Sequence, residues 1–246
     1  MKKHNSLAII ILLLLAISTR LSAQQTTATN ASTLKEWSAG KCVSMQTINS
    51  YGIENCFTQS SINDVIFRRI NGKSYKKNCT IPRSELRYLR VLHYTIDGKI
   101  KMGELICHKD IASDLIDIFR KLYDAKYPIE SIRLIDDFGA DDSLSMNNNN
   151  TSCFNFRFVS GTKKLSNHSR GKAIDINPLY NPYVKSQRNG TQRVNPLKGK
   201  PYADRNKKFR YKIDHNDLAY KLFTSHGFEW GGNWKSLKDY QHFEKH

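Results

Sequence analysis

The sequence contains no Cys-x-x-Cys pair, although five of its 246 residues are cysteine. Thiolate zinc sites usually take two ligands from such a pair, so the sequence argues against a cysteine-based zinc knuckle. The number of cysteines is odd, so at least one thiol stays free or pairs with a cysteine elsewhere. The sequence does not define which of the others pair.

Acidic residues are scarce, since 22 Asp and Glu stand against 39 Lys and Arg, and the formal net charge is +17. Such a charge would concentrate an exported protein at an anionic cell envelope. Nucleic acid is another polyanion that binds basic proteins, but the sequence has no nucleic-acid-binding motif, and we expect no such partner. A basic surface without a special partner is the remaining interpretation of the charge.

The N-terminal apolar run, residues 7–17, is shorter than the roughly 20 residues that a membrane-spanning helix needs. It follows the basic residues Lys2 and Lys3 and precedes the small residue Ala23, which is the three-part pattern of a secretory signal peptide. We therefore predict that residues 1–23 are a signal peptide. The mature protein is then exported to the periplasm or cell envelope and keeps no stable membrane span. An uncleaved N-terminal anchor is the alternative.

Strand and helix patterns mix along the chain without a regular β-α-β alternation, and this predicts an α+β fold. Residues 89–94 and 100–107 have strand patterns on either side of an Asp97-Gly98 turn signal. Apolar residues then recur at helical spacing over residues 109–125.

Other predicted elements are less regular. They are strands at 132–135, 154–159 and 173–176, a strand that contains His242, and a helix at about 215–226. Residues 185–212 are strongly basic, carry Gly and Pro, and are predicted to form a long functional loop. Residues 24–80 match no motif and are predicted to be a partly flexible N-terminal extension, which a disulfide could attach to a domain of residues 81–246.

A first candidate site segment surrounds Asp175, which lies between Ile174 and Ile176 in a run that has the composition of a buried strand. Burying an unpaired carboxylate is costly, so Asp175 needs a partner. His168 precedes it across Gly171, where the chain can bend or approach another segment closely. A metal ion and a basic side chain are equally good partners on this evidence alone.

A second segment favours the metal, because Asp239 stands three residues before His242. Two imidazoles and one carboxylate from His168, Asp175 and His242 would bind zinc and leave a fourth position for water. Zinc lowers the pKa of that water, and Asp239 would take its proton. Ala173 shares one side of the strand with Asp175, and its small size would leave room for a substrate.

These segments resemble a known family. The motifs that carry the resemblance are Ser166-x-His168-x-x-Gly171-x-Ala173-x-Asp175 and Asp239-x-x-His242, with support from Trp230-Gly-Gly-Asn-Trp234, Asn149-x-Thr151-Ser152 and Phe154-Asn155-x-Arg157. They are similar to those of the M15 metallopeptidases, which include zinc D-alanyl-D-alanine carboxypeptidases, D,D-dipeptidases and L-alanyl-D-glutamate endopeptidases. The Trp230-Gly-Gly-Asn-Trp234 segment resembles the endopeptidase-type branch of that family. The resemblance covers roughly residues 80–244.

The resemblance implies a fold and roles for individual residues. The fold would be a single α+β domain with a central antiparallel sheet and flanking helices, as in DD-peptidases and the Hedgehog signalling domain. His168, Asp175 and His242 match the zinc ligands, and Asp239 matches the general base. Arg157 matches the arginine that polarises the scissile carbonyl, a role that makes sense because a fixed cation stabilises developing negative charge.

Substrate binding is expected to involve Ser166, Trp230 and Trp234, although a turn hydroxyl and core packing are their alternative roles. The resemblance implies zinc-dependent hydrolysis of a peptide bond in peptidoglycan stem peptides, by either D-Ala-D-Ala carboxypeptidase or L-Ala-D-Glu endopeptidase cleavage. Two alternatives remain. One is a non-catalytic zinc-containing module that binds the cell wall, and the other is a secreted protein that binds nucleic acid or another anion through residues 185–212.

Overall fold

The structure is a computed structural model that describes residues 34–159 and 162–246. The predicted signal peptide, residues 1–23, lies outside the described residues, as does the beginning of the predicted N-terminal extension. In the described part, helices combine with mostly antiparallel strands, and this confirms the α+β prediction. None of the helices in these two ranges has both the length and the hydrophobicity that a membrane span requires.

The described helices are α1 (Met45–Tyr51), α2 (Asp64–Ile70), α3 (Lys109–Asp124), α4 (Asp142–Asn147) and α5 (Leu218–Ser225). The strands are β1 (Thr58–Ser61), β2 (Leu86–Tyr94), β3 (Ile100–His108), β4 (Ser131–Ile132), β5 (Asn150–Thr151), β6 (Ala173–Asp175), β7 (Tyr183–Ser186), β8 (Gln192–Asn195), β9 (Glu229–Trp230), β10 (Lys238–Asp239) and β11 (His242–Glu244). Short 3-10 helices include Asn167–Arg170 and Leu197–Tyr202.

The strands form several small sheets. Three antiparallel sheets have the strand orders β1-β2-β3, β6-β11-β9 and β10-β7-β8, while β4 and β5 form a short parallel pair. The long β2–β3 hairpin and α3 coincide closely with the predicted elements. The α3 helix buries the apolar stripe that its spacing predicts, so this part of the fold follows directly from sequence periodicity.

One apolar core takes side chains from both ends of the described chain. Leu34 and Ile48 are fully buried in the same cluster as Phe119, Phe223 and Phe243. Residues of the predicted N-terminal extension therefore pack against the rest of the protein. The attachment is by packing and by the pairing of β1 with β2, since the structure has all five cysteines as free thiols and no disulfide.

The predicted strand at residues 154–159 is wrong. The amides of Phe154, Asn155 and Phe156 bond to carbonyls of three separate segments, so these residues form no strand ladder. Phe154 and Phe156 are buried as an alternating pattern predicts, whereas Phe158 is 48% exposed. The prediction for 132–135 is only partly right, because the strand ends at Ile132 and a 3-10 helix begins at Ile135.

The predicted long loop at 185–212 contains a β-hairpin and a 3-10 helix. Strands β7 and β8 pair with Val184 directly opposite Val194, and the turn between them includes Gly190 with a φ of +78°. Its many exposed basic side chains obscured the alternation of a strand pattern. The hairpin then pairs with β10, which brings this basic segment beside Asp239.

Candidate metal centre

His168 stands in the 3-10 helix Asn167–Arg170, where local contacts fix its backbone. The Ser166 hydroxyl caps this helix and accepts a hydrogen bond from the His168 amide at 3.3 Å. Gly171 ends the helix with a φ of +66°. A β-carbon at Gly171 would lie 2.7 Å from the backbone nitrogen of His108, so only glycine fits this position without a shift of the backbone.

Asp175 and His242 lie directly opposite each other on the antiparallel strands β6 and β11. Their side chains therefore project from the same face of the sheet. Ala173 is fully buried and lies opposite Glu244 on that face. It does not line the cleft described below, so the expected room for substrate beside Ala173 is not present there.

Three atoms of these side chains form a nearly equilateral triangle. The Nε2 atom of His168 lies 3.3 Å from Oδ1 of Asp175 and 3.2 Å from Nδ1 of His242. The remaining distance, from Nδ1 of His242 to Oδ1 of Asp175, is 3.1 Å. A tetrahedral metal with bonds of about 2.0 Å holds its ligand atoms roughly 3.3 Å apart. The triangle thus has the shape of one face of such a site.

Each imidazole forms a hydrogen bond on the side away from the triangle, and this bond orients its other nitrogen toward the triangle. His168 donates from Nδ1 to the carbonyl oxygen of Cys153 at 2.6 Å. His242 donates from Nε2 to Oε2 of Glu244 at 3.0 Å, and Asn167 donates to the same oxygen. Metal-binding histidines characteristically donate their second nitrogen in this way, which fixes the ring and its tautomer.

Glu244 is a functional candidate that the sequence analysis missed. Its signal is the spacing His242-x-Glu244, since residues two apart on a strand share a face. Burial opposes the ionisation of Glu244, but its hydrogen bonds with His242 and Asn167 prevail and lower its pKa to about 2. Glu244 is therefore a carboxylate that can hold His242 in place across a wide pH range.

The three candidate ligands are electrostatically coupled. Burial opposes the charge on Asp175, but His168 and His242 hold its pKa well below the usual range. Burial likewise disfavours a charged His242, whereas hydrogen bonds to Asp175 and Glu244 raise its pKa to about 10. Because a metal ion binds the deprotonated nitrogen, cation binding would compete with protonation of His242.

Asp239 lies on β10, and a close backbone approach holds its segment in place. A β-carbon at Gly231 would lie 2.7 Å from the carbonyl oxygen of Asp239, which explains the glycine after Trp230. Gln241 donates a hydrogen bond to Oδ1 of Asp239 at 3.1 Å. Burial, with a smaller contribution from the charge of Asp175, raises the pKa of Asp239 to about 6. Such a carboxylate can accept a proton near neutral pH.

A cleft of about 610 Å³ opens beside this group. Seven of the eight site residues that the sequence predicts line it: Arg157, Ser166, His168, Asp175, Trp234, Asp239 and His242. The ring of Trp234 lies 5.2 Å from that of His242, so it can contact a ligand beside the metal. Trp230 is 4% exposed and donates from Nε1 to the carbonyl of Tyr240, which places it in the core.

Arg157 reaches the cleft as one half of an ion pair with Asp142. Asp142 also accepts a hydrogen bond from the Asn155 side chain at 2.9 Å, and the hydroxyl of Ser169 accepts one from the Arg157 amide at 2.8 Å. Arg157 is therefore fixed from two sides. No motif indicated Asp142, because its partners lie more than ten residues further along the chain.

The arrangement of His168, Asp175 and His242 is a candidate metal centre, and comparison with known proteins indicates the class of protein that contains it. Residues 160–245 match the family model described as D-alanyl-D-alanine carboxypeptidase. This match confirms, for that part of the chain, the resemblance to the M15 peptidases, and it indicates a peptidase. Searches of curated proteins and of solved structures found no match.

Proposed function

We propose that this protein is a zinc-dependent peptidase that hydrolyses a peptide bond in peptidoglycan stem peptides. In this proposal His168, Asp175 and His242 hold the zinc ion. The observation that carries it is the triangle of ligand atoms, 3.1 to 3.3 Å apart, on the wall of a cleft large enough for a peptide segment. A set of two imidazoles and one carboxylate is one that catalytic zinc sites use.

The residues around the triangle can divide the work of peptide hydrolysis. Bound zinc would supply a Lewis acid that makes water acidic and polarises the scissile carbonyl. Asp239 would take the proton of the attacking water and pass it to the leaving amine. Arg157, fixed by Asp142, would stabilise the negative charge that develops on the carbonyl oxygen. Trp234 and Ser166 would contact the bound peptide.

The proposed setting is the cell envelope. Export by the predicted signal peptide would bring a basic protein, of net charge +14 after the loss of Lys2, Lys3 and Arg20, to an anionic cell wall, where its substrate occurs. Removal of a terminal D-alanine and cleavage between L-alanine and D-glutamate are the two candidate reactions. A non-catalytic zinc-containing module that binds the cell wall is the competing proposal. It would have no need of the partly buried carboxylate of Asp239.

Digestion of purified muropeptides, with and without a metal chelator, tests the proposal. Mass spectrometry of the products identifies the cleaved bond, and elemental analysis of the protein identifies the metal. We expect cleavage that stops with chelator and returns with added zinc. Binding of muropeptides without any cleavage by the zinc-loaded protein would favour the binding module instead.

Exchange of Asp239→Asn separates proton transfer from metal binding. We expect the variant to keep its zinc, because Asp239 is not part of the ligand triangle. Its kcat should fall by about 10²- to 10⁴-fold, the usual contribution of a general base. Steady-state kinetics and zinc content are measured together, with Asp214→Asn, a more exposed aspartate on another segment, as the control. Joint loss of zinc and activity would mean that Asp239 supports the metal rather than the chemistry.

A further inference from the structure

Two cations face each other on the wall of the cleft. Lys185 of β7 and Arg193 of β8 are directly opposite in the antiparallel register, and both line the cleft. Like charges in opposite positions repel each other and destabilise a strand pair. Both residues are exposed, and among the described residues neither side chain forms an ion pair with a carboxylate. The hairpin thus keeps an unfavourable pair where a ligand can reach it.

The same sheet links this pair to the proposed proton acceptor. Tyr183 lies opposite Asn195 on one side and Asp239 on the other, and this row of three also lines the cleft. Lys185 and Arg193 form the row two residues further along, on the same face because side chains alternate. Two residues of strand span roughly 7 Å. Lys185 and Arg193 also lie one and two strands away from Asp239, at about 4.8 Å per strand. A peptide cleaved near Asp239 would therefore meet the two cations about two to four residues from the cleaved bond.

We propose that Lys185 and Arg193 form a carboxylate subsite, and that the preferred substrates are peptides with a free carboxylate about two to four residues from the scissile bond. The inference rests on the proposed peptidase function and adds the class of substrate to it. A guanidinium binds a carboxylate through two parallel hydrogen bonds, and the ammonium group adds a second charge. Arg157, which also lines the cleft, is already paired with Asp142. The bound carboxylate would also relieve the repulsion between the two cations.

The test compares stem peptides that differ in a single charge. One peptide carries all its carboxylates, and in the others each carboxyl group away from the scissile bond is converted to the amide in turn. The double variant Lys185→Gln with Arg193→Gln should raise KM for the fully charged peptide by about three- to thirtyfold, with kcat within about twofold. For the peptide that is amidated at the recognised position, the double variant and the unaltered protein should have the same KM.

Two further variants act as controls. Arg188→Gln with Lys198→Gln removes the same total charge from exposed positions outside the cleft and should leave KM unchanged. Lys185→Glu would form a cross-strand ion pair with Arg193. This variant should unfold at the same or a higher temperature than the unaltered protein, yet lose the preference for the charged peptide. Its loss of preference then cannot be ascribed to a misfolded hairpin.

An unchanged KM in the double variant, or an equal rise in KM for every peptide, would overturn the subsite. If the unaltered protein cleaves none of the peptides, the proposed peptidase function is refuted, but the carboxylate subsite is not. Binding affinities of the same peptides, measured by calorimetry, then decide the inference. A loss of affinity in the double variant that depends on one carboxylate supports it, and equal affinities for charged and amidated peptides refute it.

Discussion

At the scale of single residues, the geometry of the candidate metal centre depends on hydrogen-bond acceptors that orient the two histidine ligands. His242 offers Nδ1 to the triangle only while Nε2 donates to Glu244. His168 is oriented in the same manner by a backbone carbonyl, which no substitution of a side chain can remove. Glu244 is therefore the outer contact that can be altered most cleanly.

We expect Glu244→Gln to lower zinc affinity by about 10- to 100-fold, because the neutral amide holds the His242 imidazole less firmly. Competition with a chromogenic chelator measures this affinity. Glu54→Gln serves as the control, since Glu54 is exposed and lies outside both the cleft and the groups that could hold a metal ion. Equal losses in both variants would mean that general surface charge, and not the orientation of His242, governs the affinity.

The pH dependence of cleavage should report the ionisation of Asp239. Burial raises its pKa to about 6 in the metal-free protein, so it is a carboxylate above that pH and is neutral below it. A cation bound nearby would act in the opposite direction and lower this pKa. We therefore expect kcat/KM to fall on the acid side, with a midpoint at or below about 6. Rates that increase between pH 7 and pH 5 would contradict the role of Asp239 as the proton acceptor.

At the scale of elements, Gly171 joins the helix of His168 to strand β6 and also contacts the end of β3. Its carbonyl accepts a hydrogen bond from the His108 amide at 2.8 Å, and a β-carbon would lie 2.7 Å from the same nitrogen. Gly98, in the turn between β2 and β3, has a similar φ of +79°, but a β-carbon there would have no neighbouring atom within 4 Å. A substitution at Gly98 would therefore add backbone strain alone, whereas one at Gly171 would add both backbone strain and a steric overlap.

We expect Gly98→Ala to lower the free energy of unfolding by about 1 kcal/mol, the cost of a left-handed alanine. Gly171→Ala should cost about 3 kcal/mol or more, because the steric overlap with β3 adds to that strain. Urea unfolding of both variants gives the comparison. Equal losses would show that the segment shifts without cost and that the close approach does not determine the position of His168.

The elements that sequence patterns predicted well are those whose hydrogen bonds are local or whose apolar faces are regular. The β2–β3 hairpin and α3 belong to this group. Residues 154–156 do not, because their amides bond to three separate segments that no local pattern reveals. The same holds for the site. Motifs indicated the three candidate ligands, whereas the pairing of Arg157 with Asp142 depends on contacts between separate segments.

At the scale of the whole molecule, the described part of residues 24–80 shares the main core. Leu34, Ile48 and Cys56 are fully buried there, and β1 extends the β2–β3 sheet. The division into a partly flexible extension and a domain of residues 81–246 stays a prediction. Removal of residues 24–80 would expose part of this core, and each large apolar side chain that loses its burial lowers the free energy of unfolding by about 1.5–3 kcal/mol.

A chain that lacks residues 24–80 should not unfold cooperatively, because the loss of several such side chains approaches the roughly 5–15 kcal/mol that stabilise a typical domain. Urea unfolding followed by circular dichroism, together with binding of a hydrophobic dye, measures the effect. Cooperative unfolding of residues 81–246 alone, without dye binding, would support the predicted domain boundary instead.

Strands β6 and β11 carry two of the candidate ligands, whereas Lys185 and Arg193 belong to another sheet, β10-β7-β8. The hairpin is inserted in the chain between Asp175 and His242. Tyr183 pairs with Asp239, but the part of the hairpin beyond Tyr183 and Asn195 can vary in length and charge while the ligand strands keep their register. Substrate preference can therefore diverge in evolution without disturbance of the reactive centre. For protein engineering, this hairpin is the segment to randomise when a different peptide is to be accepted.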